Sequence, residues 1–495
     1  MSLFHRKSLA ALAEEAGQSG LRRALGPLNL TALGIGSVIG TGIFVLTGTA
    51  ASQNAGPSLV LSMIIAGVGC AFAGLCYAEL AAMIPVAGSA YTYAYATIGE
   101  FAAWIIGWDL ILEYALSTAT VAVGWSGYFA SFMRDLGLAL PPGLTAPPGM
   151  SVALSDGSVV PGLFNVPAAL IVLLVAALLI IGIKESADTN AALVILKTGA
   201  LVVFVVAGAS FVRRDHLTPF IPPNEGEFGR FGWSGVLQGA AVMFLAYIGF
   251  DAVSTAAQEA KRPQRDLPIG ILASLAICTV LYIAVATVLI GIVPYKALNV
   301  ADPIAVGIDA TGLRWLSPVI KLSAIFGLFS TMLVTLLGQT RIFYSMSRDG
   351  LLPKGFSNVH PRFRTPHLST LLTAVVIAAA AGLVPIGVLG RLVSMGTLLA
   401  FVLVCIGIVV LRRTEPDIPR PFRTPAVPWV PAAGAVICFI QMLSLPHTTW
   451  DRLVIWLVVG LIVYFGYSRR RAEARRASET RQAGLTAEGA LISGP

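Results

Sequence analysis

Three groups of residues in this chain have types and spacing that suit chemistry in a water-poor interior. The first is Gly36-Ser37-Val38-Ile39-Gly40-Thr41-Gly42, with three glycines in seven residues of an otherwise apolar segment. A mid-helix glycine costs about 1 kcal/mol relative to alanine, so a helix here invites a break. The half-helix starting near Ile43 would aim unpaired N–H groups and the positive end of its dipole into the gap, which suits a carboxylate. Close helix packing through small residues is the other reading of the same glycines. The second group, Ala246-Tyr247-Ile248-Gly249-Phe250-Asp251, repeats the pattern later in the chain, with Asp251 placed to cap the break rather than to bind a ligand. The third is a set of charges in apolar runs. Lys197 stands in Ala-Leu-Val-Ile-Leu-Lys-Thr-Gly-Ala, and Asp109 and Glu113 lie four apart on one helix face. A charge at mid-membrane depth costs about 2.5 to 3.5 kcal/mol. Lys197 therefore either snorkels to the surface or faces the interior, where it would donate to carbonyls freed near Gly34 and carry a proton between wet and dry states. Asp109 reads as a structural, hydrogen-bonded carboxylate. Glu113 is either that or a cavity group, able to accept from a hydroxyl such as Tyr282, to offset Lys197 or to meet a cation.

These residues need helices in a membrane to hold them. The 495 residues are 56% hydrophobic and 12% charged, with a mean hydropathy of +0.81, which places the chain among polytopic membrane proteins. Apolar runs of spanning length predict twelve helices, at 28–54, 58–83, 99–133, 163–182, 188–212, 234–258, 267–293, 313–346, 368–384, 393–411, 427–446 and 450–468. Alternate loops put 23 lysines and arginines on the side of both termini and nine on the other, with Lys197 left in a span. The positive-inside rule makes the termini cytoplasmic and the chain a multi-pass protein of the inner (cytoplasmic) membrane. The same bias accounts for the net charge of +8 without a nucleic-acid partner. The segment 1–27 has no signal-peptide pattern, and the basic tail 469–495 reads as an anchor to anionic lipids. Residues 85–99, with Tyr91, Tyr93 and Tyr95, read as a short re-entrant piece. The loops 134–162 and 213–233 read as unstructured connections.

The five cysteines fall in apolar spans and the five histidines in loops or tails, so neither a disulfide framework nor a buried histidine relay is expected. No Walker loop, nucleophile elbow or His-Glu-x-x-His occurs. The chain reads as neither an enzyme nor a nucleotide-driven pump, and no cofactor is expected. The two breaks fall in corresponding places if spans one to five (28–212) repeat as spans six to ten (234–411), with 427–468 outside the repeat. An odd repeat makes the second half inverted, and paired broken helices point to a midplane binding site.

The motifs Gly-Ile-Gly-Ser-Val-Ile-Gly-Thr-Gly-Ile-Phe (34–44), Cys-Tyr-Ala-Glu-Leu with Pro-Val-Ala-Gly-Ser-Ala-Tyr-Thr-Tyr (76–93), Tyr-Ile-Gly-Phe-Asp (247–251), Arg-Asp-Leu-Pro-Ile-Gly-Ile (265–271), Gln339-Thr340-Arg341 and Ser347-Arg348-Asp349-Gly350-Leu351-Leu352-Pro353 resemble the amino acid-polyamine-organocation transporters, and within them the bacterial members of the cationic amino acid transporter family. The resemblance covers most of 28–468. It implies an all-α fold of about 12 transmembrane helices, a five-plus-five inverted repeat like that of the leucine transporter, with helices 1 and 6 broken around an amino acid. Carried over by residue, the backbone of Val38, Ile39, Gly40, Thr41 and Gly42 holds the carboxylate, and carbonyls of Leu245, Ala246 and Ile248 complete the amine site. Phe244, Glu113, Tyr282 and Thr335, with Leu336, stand around the remaining pocket. Lys197 occupies the place where proton-coupled members carry a lysine instead of sodium. Leu245 replaces the usual aromatic before the second break, and Gln258 and Arg262 replace the expected Glu and Asn. The expected function is amino acid import by proton symport. An exchanger, and more remotely a non-transporting receptor, are the alternatives.

Overall fold

The computed structural model describes residues 6, 25–84, 89–153, 158–181, 187–255, 257–363 and 365–473. The expectations for most of segment 1–27, for Lys184 and for the tail beyond 473 lie outside them. Apart from a two-stranded hairpin (Ser151–Ala153 with Val159–Pro161), the described chain is helical. We number the principal helices α1 (Pro27–Val38), α2 (Leu59–Met83), α3 (Ser89–Thr97), α4 (Glu100–Asp135), α5 (Val166–Ile181), α6 (Ala187–Gly208), α7 (Gly232–Met243), α8 (Pro263–Ile292), α9 (Pro303–Ala310), α10 (Leu316–Arg348), α11 (His367–Leu383), α12 (Ile386–Thr414), α13 (Trp429–Ser444) and α14 (His447–Val463).

Each of the twelve predicted spans corresponds to one of these helices or to a broken pair. Seven helical runs are long and apolar enough to cross a membrane, and four shorter apolar helices accompany them. Their outward faces carry large apolar side chains: Val206 and Ile195 on α6 are each 72% exposed, and Val376 on α11 is 66% exposed. Such a belt is unfavourable in water and is matched by lipid tails. Inside it, α4 packs on α10, α2 on α8, α5 on α11, and α1 and α6 on α8.

Both predicted breaks are present. The first helix stops at Val38, crosses Ile39 and Gly40 in bent backbone, and restarts at Thr41 as a wide-wound stretch, with π turns at Gly42–Leu46 and Ala51–Ala55 flanking Thr47–Ala50. Thr47 Oγ1 donates back to the Ile43 carbonyl at 2.9 Å, which helps absorb the widened turn. The other break follows α7, where the 3-10 turn Phe244–Tyr247 gives way to extended Ile248 and to Gly249 at φ 118° before Ala252–Thr255.

Three features differ from the sequence expectations. The tyrosine-rich segment forms a full helix, α3, with Tyr91, Tyr93 and Tyr95 all buried, rather than an interfacial dip; its residues 85–88 lie outside the described set. The loop between α8 and α10 contains a second short helix, α9, and the 134–162 loop contains the hairpin. Lys321, counted with a loop, is inside α10 and 1% exposed, where its ammonium meets Asp135 at 2.7 Å and Asp309 at 2.9 Å. At the opposite end of the bundle Glu79, at the close of α2, is fully buried. It accepts from Arg412 at 3.0 and 2.8 Å and from the Thr424 amide at 2.7 Å, with Arg420 at 3.4 Å.

Candidate functional site

The breaks cross at the centre of the bundle, and glycine is what lets them meet. A Cβ on Gly42 would lie 2.1 Å from the Ala246 Cα, and one on Gly249 would lie 2.6 Å from the Ser37 carbonyl. Both readings of the glycine run therefore hold together: the glycines pack backbone on backbone, and the same approach frees polar groups. At the restart at Thr41 the first turn has N–H groups with no intrahelical acceptor. On the other side of the gap two carbonyls of α1 are taken by side chains. Lys197 Nζ donates to Gly36 O, and Tyr282 Oη donates to Val38 O at 2.8 Å.

A cavity of about 170 Å³ lies against the crossing. Of the residues expected at the site, Val38, Gly40, Thr41, Gly42, Glu113, Leu245, Ile248 and Thr335 line it. Ile39, Phe244, Ala246 and Tyr282 do not. Ile39 is fully buried behind the break, Phe244 is turned edge-on to Phe401 at 5.3 Å, Ala246 is pressed against Gly42, and Tyr282 is committed to the Val38 carbonyl rather than to a carboxylate of α4. Leu336 is likewise buried away from the space. Leu245, not an aromatic, forms the wall at the second break.

Lys197 is fully buried and also stands outside the lining. Its stem packs on Gly327, and its ammonium lies 3.5 Å from Thr331 Oγ1. Thr331 in turn faces both the cavity and Gly40, so the lysine touches the first break from behind and the cavity wall through one hydroxyl. Glu113 is 5% exposed, and its Oε2 has no hydrogen-bond partner among the described residues; Thr41 Oγ1 has none either. Asp109 departs from expectation. It is fully buried, both its oxygens lack a partner among the described residues, and it lies beside Gly396 of α12. Asp251 caps the second break by accepting from the Gly249 amide at 3.2 Å, and it lines the cavity as well.

The sequence reading missed Ser117 and Val121, which follow Glu113 at helical spacing on α4, and Thr331, Gly338, Ile342 and Ser345, which continue the face of Thr335 on α10. Extending each face from its one named residue at steps of three or four would have found them. The same steps reach Arg341 from Gly338, whereas Tyr91 and Tyr114 carried no such signal. The cavity has two chemical poles. One is a cradle of amide donors at the first break. The other is a pair of carboxylates, Glu113 and Asp251, and the same lining holds apolar Val121, Leu245 and Val334. That arrangement matches a zwitterion bearing an uncharged side chain.

The family model described as amino acid permease matches residues 25–465. The chain is 46% identical over 471 residues to the methylthioribose transporter of Bacillus subtilis (strain 168), covering 95% of this chain and 99% of that one. It is 45% identical over 474 residues to the branched-chain amino acid permease BcaP of the same organism, at the same coverage. It is 39% identical over 420 residues to cationic amino acid transporter 4, vacuolar, of Arabidopsis thaliana, covering 84% of this chain and 68% of that one.

Proposed function

The chain belongs to the amino acid permease family, as a multi-pass membrane transporter and not an enzyme, and on that premise we propose that it imports a neutral amino acid across the cytoplasmic membrane by proton symport. The observation that carries this reading is the crossing of two broken helices beside a buried lysine. The substrate carboxylate is held by the amides at Gly40, Thr41 and Gly42, and its ammonium by carbonyls of the second break together with Glu113. Val121, Leu245 and Val334 take an apolar side chain, in keeping with the name of the branched-chain relative.

We infer the leucine-transporter-like inverted repeat from which helices touch. Exchanging each span of 28–212 for its counterpart in 234–411 turns the packing of α1 on α8 into that of α7 on α2, and α6 on α10 into α12 on α4. It leaves α2 on α8, α4 on α10 and α5 on α11 unchanged. The connecting helices α3 and α9 also exchange places. Such symmetry supports a rocking mechanism around a fixed central site.

Lys197 couples the proton. Protonated, it donates to the Gly36 carbonyl and fixes the first break, in place of the sodium ion that would otherwise neutralise those oxygens. Deprotonated, it releases them. One proton moving with a neutral amino acid across 100 mV gains about 2.3 kcal/mol, about fiftyfold in accumulation. The test is uptake into empty proteoliposomes under an imposed pH gradient with sodium absent. Wild type accumulates L-leucine or a similar neutral amino acid, whereas Lys197→Ala binds but does not accumulate. Accumulation that requires sodium, or that survives in Lys197→Ala, overturns the coupling. Flux only with substrate inside identifies an exchanger, and binding without flux a receptor.

A further inference from the structure

We propose that the cavity contains a second substrate position beyond the helix breaks, an exit subsite where the guanidinium of Arg341 takes the carboxylate of an amino acid that has left the breaks; this rests on the reading above that the breaks hold an amino acid. The cavity is too long for a single substrate. Its lining follows α10 from Thr331, opposite Gly40, to Ser345, a helical rise of about 21 Å, more than five times the roughly 3.8 Å between neighbouring Cα atoms of a chain. Arg341 lies about 15 Å along that wall from Thr331. It is exposed, lines the cavity, and makes no hydrogen bond or ion pair with any described residue.

The surroundings of Arg341 are built to receive the anionic end of a zwitterion. The Tyr114 ring is packed against Gly338, one turn from Arg341, and lies within electrostatic reach of Arg341, Glu113 and Asp251. Both carboxylates and the guanidinium thus lie within reach of one ring on the cavity wall. A zwitterion leaving the breaks exchanges the amide donors at the first break for the guanidinium of Arg341. The planar guanidinium offers a carboxylate two parallel hydrogen bonds. Beyond it, Tyr91 lines the same space with its hydroxyl donating to Asp349 at 2.7 Å, which fixes α3 against the end of α10 and forms the rim of the subsite.

The same guanidinium chemistry would also bind a phospholipid headgroup, so the experiment separates the two. Phenylglyoxal modification of Arg341 is followed by mass spectrometry in the purified protein, with L-leucine or L-leucinamide as protecting probe. Alongside it, the rate of L-leucine efflux is measured from preloaded proteoliposomes of phosphatidylcholine alone or with phosphatidylglycerol. We expect L-leucine, and not the amide, to protect Arg341 severalfold, in wild type and also in Gly40→Val, where the breaks are blocked. Arg341→Gln should slow efflux about tenfold in both lipid mixtures while leaving the L-leucine dissociation constant within twofold of wild type, and Arg341→Lys should recover part of the rate. Protection that disappears in Gly40→Val assigns Arg341 to the principal site and overturns the proposal. Equal protection by the amide, efflux in Arg341→Gln within twofold of wild type, or a defect confined to phosphatidylglycerol vesicles overturns it too. A wild-type protein that neither binds nor moves any common amino acid defeats the functional reading first, and the subsite with it. Melting curves for each variant exclude misfolding as the cause.

Discussion

Gly40 and Gly42 are two residues apart and meet different neighbours, so substitution should separate their roles. A Cβ on Gly42 runs into the backbone of Ala246, which cannot give way without parting the two breaks. A Cβ on Gly40 meets the Thr331 side chain, with its methyl nearest at 3.1 Å. Overpacking of this kind costs about 1 to 3 kcal/mol, and at Gly42 it falls on backbone. Gly42→Ala should therefore lower the melting temperature and abolish transport, whereas Gly40→Ala should keep the melting temperature and weaken substrate binding severalfold. Indistinguishable melting curves and affinities would remove the crossing at Gly42 as the reason for the glycine. The bulkier Gly42→Val is accordingly no clean test of binding, because it disrupts folding too. From sequence the glycine run announced that the backbone was special but not which glycine faced which partner, since that depends on a stretch of chain some two hundred residues away. For the same reason the reading of the breaks pointed alike to Val38, Gly40, Thr41 and Gly42, which line the cavity, and to Ile39 and Ala246, which do not: residues adjacent along a broken helix point in different directions.

At the scale of elements, the end of α2 is tied to the segment after α12 by one buried carboxylate. Glu79 takes two hydrogen bonds from Arg412 and one from the Thr424 amide, and Thr424 Oγ1 donates to the Leu75 carbonyl at 3.0 Å. Removing one partner of such a buried pair leaves an uncompensated charge and costs about 3 to 5 kcal/mol. Glu79→Gln should lower the melting temperature markedly, and Glu79→Gln with Arg412→Met should recover part of the loss. A single variant as stable as wild type would show that the clamp does not hold α2 and α12 together. The helices under the twelve predicted runs were legible in the sequence because an apolar run of about 20 residues is the length that a bilayer demands of a helix. The helices α3 and α9 were not, because both are too short to span and lie against protein, so neither length nor a polar face marks them. The cavity-facing stripe on α10 was legible at Thr335 alone. Its other members are small, hydroxylated or aliphatic residues that packing uses equally well.

For the whole molecule, orientation and conformational state meet in a single measurement. The cavity wall runs from the breaks toward the end of α10 that carries Arg341 and Arg348, and charge counting assigns that end to the cytoplasm. If the bundle is oriented in this way, the central site communicates inward in the conformation described, and Ser345, near the inner limit of the lining, marks the route. The five native cysteines are all buried, so a thiol introduced at the cavity mouth reports with little background. Ser345→Cys should react with a membrane-impermeant maleimide in inside-out vesicles and stay unreacted in sealed right-side-out vesicles. Excess L-leucine should slow the reaction, because an occupied cavity both blocks the route and shifts the population toward closure. Arg230 lies on the opposite loops, and Arg230→Cys, 58% exposed at the side chain in the parent, should give the reverse pattern. Labelling of Ser345→Cys from the outside would invert the assigned topology, and with it the direction in which Lys197 and Arg341 act.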